Sequence, residues 1–352
     1  MNKTITDIFA QEDLDRSVLI GYYGGGNFGD ELLLEVLMNL FAKRGVGSLT
    51  VTYQHPERYA TYHHEFGYPR IDMADKLSVF KAIVKNRNIV IGGGGLWGLD
   101  VNTNIFVLSS LLFFSRFVLR KRVYLLGVGY YNSTTRLGHV SAWLAGKSAN
   151  YIVSRDQESL SNFSRVNRHV ALDMDIAYQL PQLGLAPYQQ DCKTLNHAAP
   201  AAGKTLFISL RRFKPHQAAS YTKQIETCLA NNQDLTIIVA LMEPRDVDPT
   251  GYKLISKWQR QYNNVRTLEF TYNPFALFLY FKKHSKHMAL IGPQFHCIIT
   301  ALLTGVPFLP ITYDNKVLEL LKNATRAQPI PIDDLSQNMV QLFINDFKRS
   351  AQ

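Results

Sequence analysis

Along the first half of the chain, short apolar runs alternate with longer mixed segments. Ser17–Gly21, Leu49–Tyr53, Asn88–Ile91, Val123–Leu126, Tyr151–Val153 and Val170–Leu172 each have the length and composition of a strand. Most end in glycine or polar residues, in GYYGGGNFGD, GGGGLWG, GVGYY, SRD and DMD. Nearly continuous apolar strands with helical segments between them predict a parallel sheet, whose binding groups sit at the carboxyl ends of strands. After the first strand, Glu31–Lys43 predicts a mostly buried helix. Glu31, Glu35, Asn39 and Lys43 fall at i, i+4 spacing and form one polar stripe, and leucines fill the rest.

From Pro181 to Lys204 the pattern fails: three prolines and no clear period predict a linker. The alternation then resumes with strands at Leu206–Ser209, Leu235–Leu241, Met288–Ile291 and Val306–Ile311, ending in LRR, MEPRD, GPQFH and TYDNK. The expected organisation is α/β: an N-terminal Rossmann-like domain over 1–180, a linker over 181–204, a C-terminal Rossmann-like domain over 205–335, and a helix or tail over 336–352. Two such domains with parallel sheets facing a cleft would place a ligand there.

Length and composition agree with this division. A chain of 352 residues with 46% hydrophobic and 19% charged residues has material for two cores and is neither disordered nor fibrous. Thirty-eight basic against 28 acidic residues give a formal +10, which favours anionic partners. No nucleic-acid motif accompanies the charge, so nucleic acid is not expected. Cys192, Cys228 and Cys297 are an odd number at wide spacing. That fits a reducing compartment, and with an N-terminus lacking an apolar leader it makes the expected location cytoplasmic.

One apolar stretch, Ile105–Arg122, is too short to span a bilayer. It has two readings: a helix buried between strands, which is favoured, or an interfacial helix. The latter would set Arg116, Arg120, Lys121 and Arg122 against anionic lipid, a peripheral contact at the inner face of a membrane.

The motifs carry the chemistry. Gly24, Gly26 and Gly29 satisfy G-x-G-x-x-G, yet the second strand lacks the acid that would hold a ribose, and Asp30 and Glu31 crowd the helix start where a pyrophosphate would bind. Asp30 is better suited to an N-cap or to a substrate hydroxyl. Gly92–Gly95 admit a ligand or another backbone. Trp97 would stack on a sugar or sit in the core. Arg155 would clamp an anion with its planar fork, or pair locally with Asp156 or Glu158. Asp173 and Asp175 would accept hydroxyls or cap a helix. Arg211 and Arg212 follow a strand and would face the cleft or form a solvated basic pair. His296, after Gly292-Pro293 and before the apolar helix Cys297–Leu303, is the acid/base candidate, with a core histidine as the default reading. His55, His63 and His64 lack partners at metal-ligand spacing and are expected on the surface.

Together these segments resemble the polysaccharide pyruvyl transferase family over most of the chain. GYYGGGNFGDELLL, GGGGLWGLD, VSRDQESL, DMDIAYQL, ISLRR and GPQFHCIITALLTGVPFLPITYDNKV resemble its blocks in order. The resemblance implies a GT-B-like fold, with the N-terminal domain on the acceptor side and the C-terminal domain on the donor side. It implies transfer of the enolpyruvyl unit of phosphoenolpyruvate, a co-substrate, onto two hydroxyls of a nucleotide- or lipid-linked sugar. No metal or further cofactor is needed in that scheme. Arg155, Arg211, Gln294 and His296 would then hold the donor. His296 and Asp30 would be catalytic. Asn27, Asp30, Gly93, Gly94 and Gly95 would hold the acceptor. The chain departs from the family pattern twice. Gln294-Phe295 replaces the usual Arg-Leu before the histidine, and Tyr130-Tyr131 stands where Gly-Pro is common after the GVG strand. If the donor is unchanged, Arg212, Lys282 or Lys283 would supply the missing cation. A GT-B glycosyltransferase with a nucleotide-sugar donor and a glycan-binding relative without turnover are the rival readings.

Overall fold

Apolar strands buried on both faces dominate two parallel sheets in a computed structural model. It describes residues 2–97, 103–131, 135–189, 195, 203–212, 215–313, 318, 321 and 329–350. The chain divides into two units. The first comprises Met1–Gly25 and Asp30–Leu183, the second Gly26–Gly29 and Gly184–Gln352.

In the first unit α1 (Ile5–Gln11) leads into β1 (Ser17–Ile20), followed by α2 (Phe28–Lys43), β2 (Leu49–Tyr53), α3 (Tyr59–Tyr62), β3 (Arg70–Asp72) and α4 (Lys76–Lys85). Then come β4 (Asn88–Gly92), α5 (Thr103–Phe117), β5 (Arg122–Val128), α6 (Arg136–Ser148), β6 (Tyr151–Ser154), α7 (Gln157–Ser164) and β7 (Val170–Leu172). All pairs are parallel, in the order β3-β2-β1-β4-β5-β6-β7. Strand order reverses at β1/β4, so both glycine loops leave the sheet at its topological switch point. The chain moves one way along the sheet from β3 to β7, and right-handed crossovers put α4, α5, α6 and α7 on one face. One core cluster on that face joins Ile83, Leu112, Ala145 and Phe163 to Val18, Ile89, Val123 and Ile152.

The second unit runs β8 (Thr205–Leu210), α8 (Pro215–Asn231), β9 (Thr236–Leu241), α9 (Pro249–Gln261), β10 (Val265–Glu269) and α10 (Pro274–His284). It continues with β11 (Met288–Gly292), α11 (Phe295–Thr304), β12 (Phe308–Thr312), β13 (Ile330–Pro331) and α12 (Gln337–Ser350). This sheet is also wholly parallel, in the order β10-β9-β8-β11-β12-β13, with its reversal at β8/β11. Helix α12 covers the expected tail and buries Val340, Ile344 and Phe347 in the core that α8 and α9 share.

Several expectations are revised. α2 begins at Phe28 and α11 at Phe295, so Asp30 and His296 lie inside first turns rather than ahead of them. Helix α5 buries Ser109, Leu112 and Ser115 but exposes Val107, Phe114 and Phe117, so it is neither fully buried nor free of the core. No helix among the described residues is long and apolar enough to cross a membrane. Of the expected linker, 190–194 and 196–202 lie outside the described residues, as does Cys192. Cys228 and Cys297 are buried thiols, and burial pushes the Cys228 thiol up to about 12.

Candidate functional site

In the first unit the glycine loop after β1 is held from beneath by buried charge. The Gly24 amide donates to Glu31 Oε1 at 2.9 Å, and Tyr53 donates to Glu31 Oε2 at 3.1 Å. His63 bridges two carboxylates, with Nε2 2.8 Å from Glu31 and Nδ1 2.7 Å from Glu35, all three side chains fully enclosed. Burial alone would push the imidazole down, but hydrogen bonding to Glu31 and Glu35 outweighs it and lifts His63 to about 9. His63 is therefore a cation of the interior, not a surface residue. The first half of the α2 polar stripe faces it rather than water. The loop needs glycine at position 24: φ is +86°, and a Cβ would fall 2.6 Å from the Tyr53 ring.

The second glycine loop is tied to its neighbours. The Gly93 amide donates to Leu126 O at 2.7 Å, and Gly94 O accepts from Gly129 at 2.9 Å. Tyr23 donates to Gly92 O, and burial, with Asp30 and Glu31 adding, pushes its phenol well up. Gly94 and Gly95 remain partly exposed, and a Cβ on Gly94 would meet nothing closer than Leu96. Trp97 is core, donating to Ser109 at 3.0 Å. A cavity of about 490 Å³ opens beside the β1 loop, with Tyr22, Gln54, His55, Lys76 and Asn104 supplying its polar atoms. Tyr22, exposed next to the glycines and lining this cavity, was not singled out in the sequence; its signal was an aromatic inside a glycine loop.

Arg155 is used internally. Its guanidinium donates to Asp175 Oδ2 and to the Tyr131 hydroxyl, both at 3.2 Å, and Tyr131 donates to Asp156 at 3.0 Å. The partner is Asp175, not the local Asp156 or Glu158. The hydroxyl at the second family departure thus occupies the arginine. Asp156 also caps α7, and Asp175 accepts from Ala177. Asp173 accepts from the Ile5 amide at the start of α1, so the two aspartates of DMD serve helix ends.

In the second unit the carboxyl edge of the sheet gathers a different set. Asn27 donates to Glu243 Oε1 at 3.1 Å and accepts from the Gly29 amide at 3.0 Å, while the Phe28 amide donates to Met242 O at 3.0 Å. Asn27, expected to hold an acceptor, belongs to this second unit and is bound to its Glu243. A Cβ on Gly29 would lie 2.2 Å from His296 Nδ1, so only glycine lets the imidazole sit there. Arg211, after β8, donates to the Tyr313 hydroxyl and stacks its guanidinium 3.9 Å from that ring's centre. Gln294 precedes α11 and is buried.

Three enclosed polar atoms at this edge have no hydrogen-bond partner among the described residues: Ser209 Oγ, Glu243 Oε2 and Gln294 Nε2. They follow or end β8, β9 and β11, adjacent strands on either side of the reversal. Buried polar atoms are nearly always satisfied, so such a cluster asks for an explanation. Of the cations expected to replace the family arginine, Arg212 follows β8 at this edge. Lys282 and Lys283 end α10, which leads into the amino end of β11, so they belong to the opposite edge. Glu243 was not foreseen; it lies in the MEPRD turn and carries no motif.

Comparison places the chain among known proteins. The sequence profile of polysaccharide pyruvyl transferase matches residues 27–315, and the chain belongs to that family of transferases. Curated proteins give no match. Among solved structures, UDP-GlcNAc 2-epimerase from Neisseria meningitidis, bound to UDP-GlcNAc, has a TM-score of 0.63 at 13% identity, covering 95% of this chain and 94% of that one. The UDP-GlcNAc 2-epimerase of Methanocaldococcus jannaschii gives 0.60 at 11%, over 94% and 91%. Anabaena HepE in complex with UDP-glucose gives 0.56 at 14%, over 95% and 91%. At such identities the likeness concerns the fold, which is GT-B-like.

Proposed function

We propose that the chain transfers the enolpyruvyl unit of phosphoenolpyruvate to two hydroxyls of a sugar in a surface-polysaccharide precursor, forming a pyruvate ketal in the cytoplasm. The observation that carries this reading is the carboxyl edge of the second sheet. There a stacked arginine, a histidine seated against a glycine, and unpartnered buried polar atoms occur together, in a chain of this family. Arg211 is assigned to the donor's carboxylate or phosphate, and Gln294 hydrogen-bonds the same group without adding charge.

The chemistry balances without an added reagent. The donor methylene takes a proton and becomes methyl, and C2 develops oxocarbenium character. Both sugar hydroxyls add to C2, and the bond from C2 to the phosphate oxygen breaks. Of the two hydroxyl protons, one matches the proton gained by the methyl group and the other leaves with phosphate. His296 is assigned as the acid at the methylene or as the phosphate's partner. Asp30, in the first turn of α2, is assigned as base for a sugar hydroxyl, and Gly93–Gly95 with the Tyr22 cavity as the acceptor side. Arg155 enters as a positioning residue through its two terminal nitrogens, held by Asp175 and Tyr131, while its enclosed Nε has no partner among the described residues.

A second reading, a glycosyltransferase with a nucleotide-sugar donor, draws on the whole-chain likeness to proteins solved with UDP-sugars. Thermal shift at fixed salt with phosphoenolpyruvate and with a panel of nucleotide sugars, followed by assay of phosphate and nucleotide release, separates the two. Phosphoenolpyruvate stabilisation with phosphate release supports the first; release of the nucleotide alone supports the second.

A further inference from the structure

The helical face formed by α4, α5 and α6 is unusual in both charge and exposure. Residues 76–150 contain ten of the chain's 38 basic residues and one of its 28 acidic ones, Asp100. That span therefore carries nearly the whole formal +10, and the rest of the chain is close to neutral. The same span is rich in exposed large apolar side chains. Leu77, Phe80 and Val84 point outward from α4. At the far end of α5, Phe114 is exposed, and Phe117 and Val118 are 55% and 61% exposed. On α6, Trp143 is 45% exposed and stacks on Phe113 of α5, which packs against Phe117. Apolar exposure on helices of one sheet face, joined across α5 and α6 by Phe113, Phe117 and Trp143, marks an interaction surface, and a rim of cations selects its partner.

Two basic hollows flank the α5 end of this patch, both at the amino edge of the first sheet. One, of about 320 Å³, is lined by Arg87, Arg120, Lys121 and Arg122; Asp13 pairs with Arg87, and Lys121 donates to Val84 O and Asn86 O, which leaves Arg120 and Arg122 as its foremost cations. The other, of about 510 Å³, is lined by Arg116, Lys147, Arg168 and His169. Phe117 and Val118 are the residues between Arg116 of one hollow and Leu119–Arg122 of the other. Apolar side chains between basic hollows match the depth order of a bilayer, with acyl region below and anionic headgroups above. A nucleic acid would use the cations and leave Phe114, Phe117 and Val118 in water.

We propose that the α4–α6 face docks on an anionic lipid surface, with Phe117, Val118 and Trp143 entering the headgroup boundary and the two basic hollows receiving lipid phosphates. This stands whichever donor the protein uses. The test is flotation of the full chain with vesicles of phosphatidylcholine alone and with one-third phosphatidylglycerol, at low and high salt. The expected result is binding to the anionic vesicles only, weakened by salt. K81E/K85E removes two exposed cations of α4 and should weaken binding at least about tenfold. F117Q/V118Q should do the same while leaving the charge intact. Leu342→Gln, at an exposed position of α12 in the second unit, should change nothing. Melting curves check that each variant is folded. Failure to float with anionic vesicles at low salt overturns the proposal, as does flotation indifferent to F117Q/V118Q. A dimer that F117Q/V118Q dissociates, without vesicle binding, assigns the face to a second copy and overturns it too.

Discussion

The two sheets share one plan and furnish it differently. Each reverses its strand order next to its first strand, at β1/β4 and at β8/β11, and each puts its motif residues at the carboxyl edge there. In the first unit that edge is backbone: glycines braced by Glu31, His63 and Tyr53, and an arginine already neutralised by Asp175. In the second it is side chain: Arg211 stacked on Tyr313, His296 against Gly29, and Ser209, Glu243 and Gln294 with enclosed atoms left over. A polar group satisfied within the fold is scaffold; one left unsatisfied is what a ligand can reward. By that criterion the second edge offers a ligand unpartnered atoms from three adjacent strands, whereas the first offers mainly shape, with Ser154 Oγ and Arg155 Nε as its enclosed unpartnered atoms among the described residues.

The sharpest way to break this contrast is at the two histidines. His296→Ala should cut turnover by about 10²–10⁴ and leave the melting temperature near wild type, measured by phosphate release and calorimetry. An unfolded variant would make His296 a core residue and collapse the distinction. His63→Ala should do the opposite. Removing the cation between two buried carboxylates costs about 3–5 kcal/mol of stability, visible as a lower denaturation midpoint. Next comes Gly29→Ala, whose methyl would collide with the imidazole. Turnover should fall by about 10² with the donor's thermal shift largely kept, since a misplaced group costs rate more than binding.

The pH dependence of stability sharpens the same comparison. His63 is raised in the folded protein to about 9, above its ordinary 6.5. Its contribution is complete below 6.5 and disappears as pH rises through 9, so the denaturation midpoint should fall over that window. In His63→Gln that dependence should flatten. The smallest effect expected is Gln294→Arg: a gain of up to about tenfold in phosphoenolpyruvate affinity, from one restored cation, read by titration of the thermal shift.

What the sequence made legible follows from where each residue finds its partners. Strands inside the sheets, such as Ile89–Ile91 and Leu206–Ile208, announce themselves because both faces are covered and every position is apolar. The unforeseen strands β3, β10 and β13 are all sheet edges, short and partly wet: Arg70–Asp72, Val265–Glu269 and Ile330–Pro331 carry charge or proline on open sides. The glycine loops were visible because backbone geometry excludes other residues. The internal cation was not, because His63 is a polar residue among polar neighbours until α2 brings Glu31 and Glu35 to it from some thirty positions away. Arg155 illustrates the converse: its motif was plain, but the hydroxyl that occupies it stands 24 residues earlier.

The bond from Gly24 to Glu31 has a kinetic consequence. That amide is enclosed, and its acceptor also holds Tyr53 and His63. Water reaches it only when the glycine loop, the α2 first turn and the α3 segment part together, because a half-opened state would strand a charge in the interior. Amide exchange at Gly24 should therefore be slow for a loop glycine and should accelerate together with its neighbours on α2 and α3, which makes this turn behave as part of a cooperative opening unit rather than as a hinge.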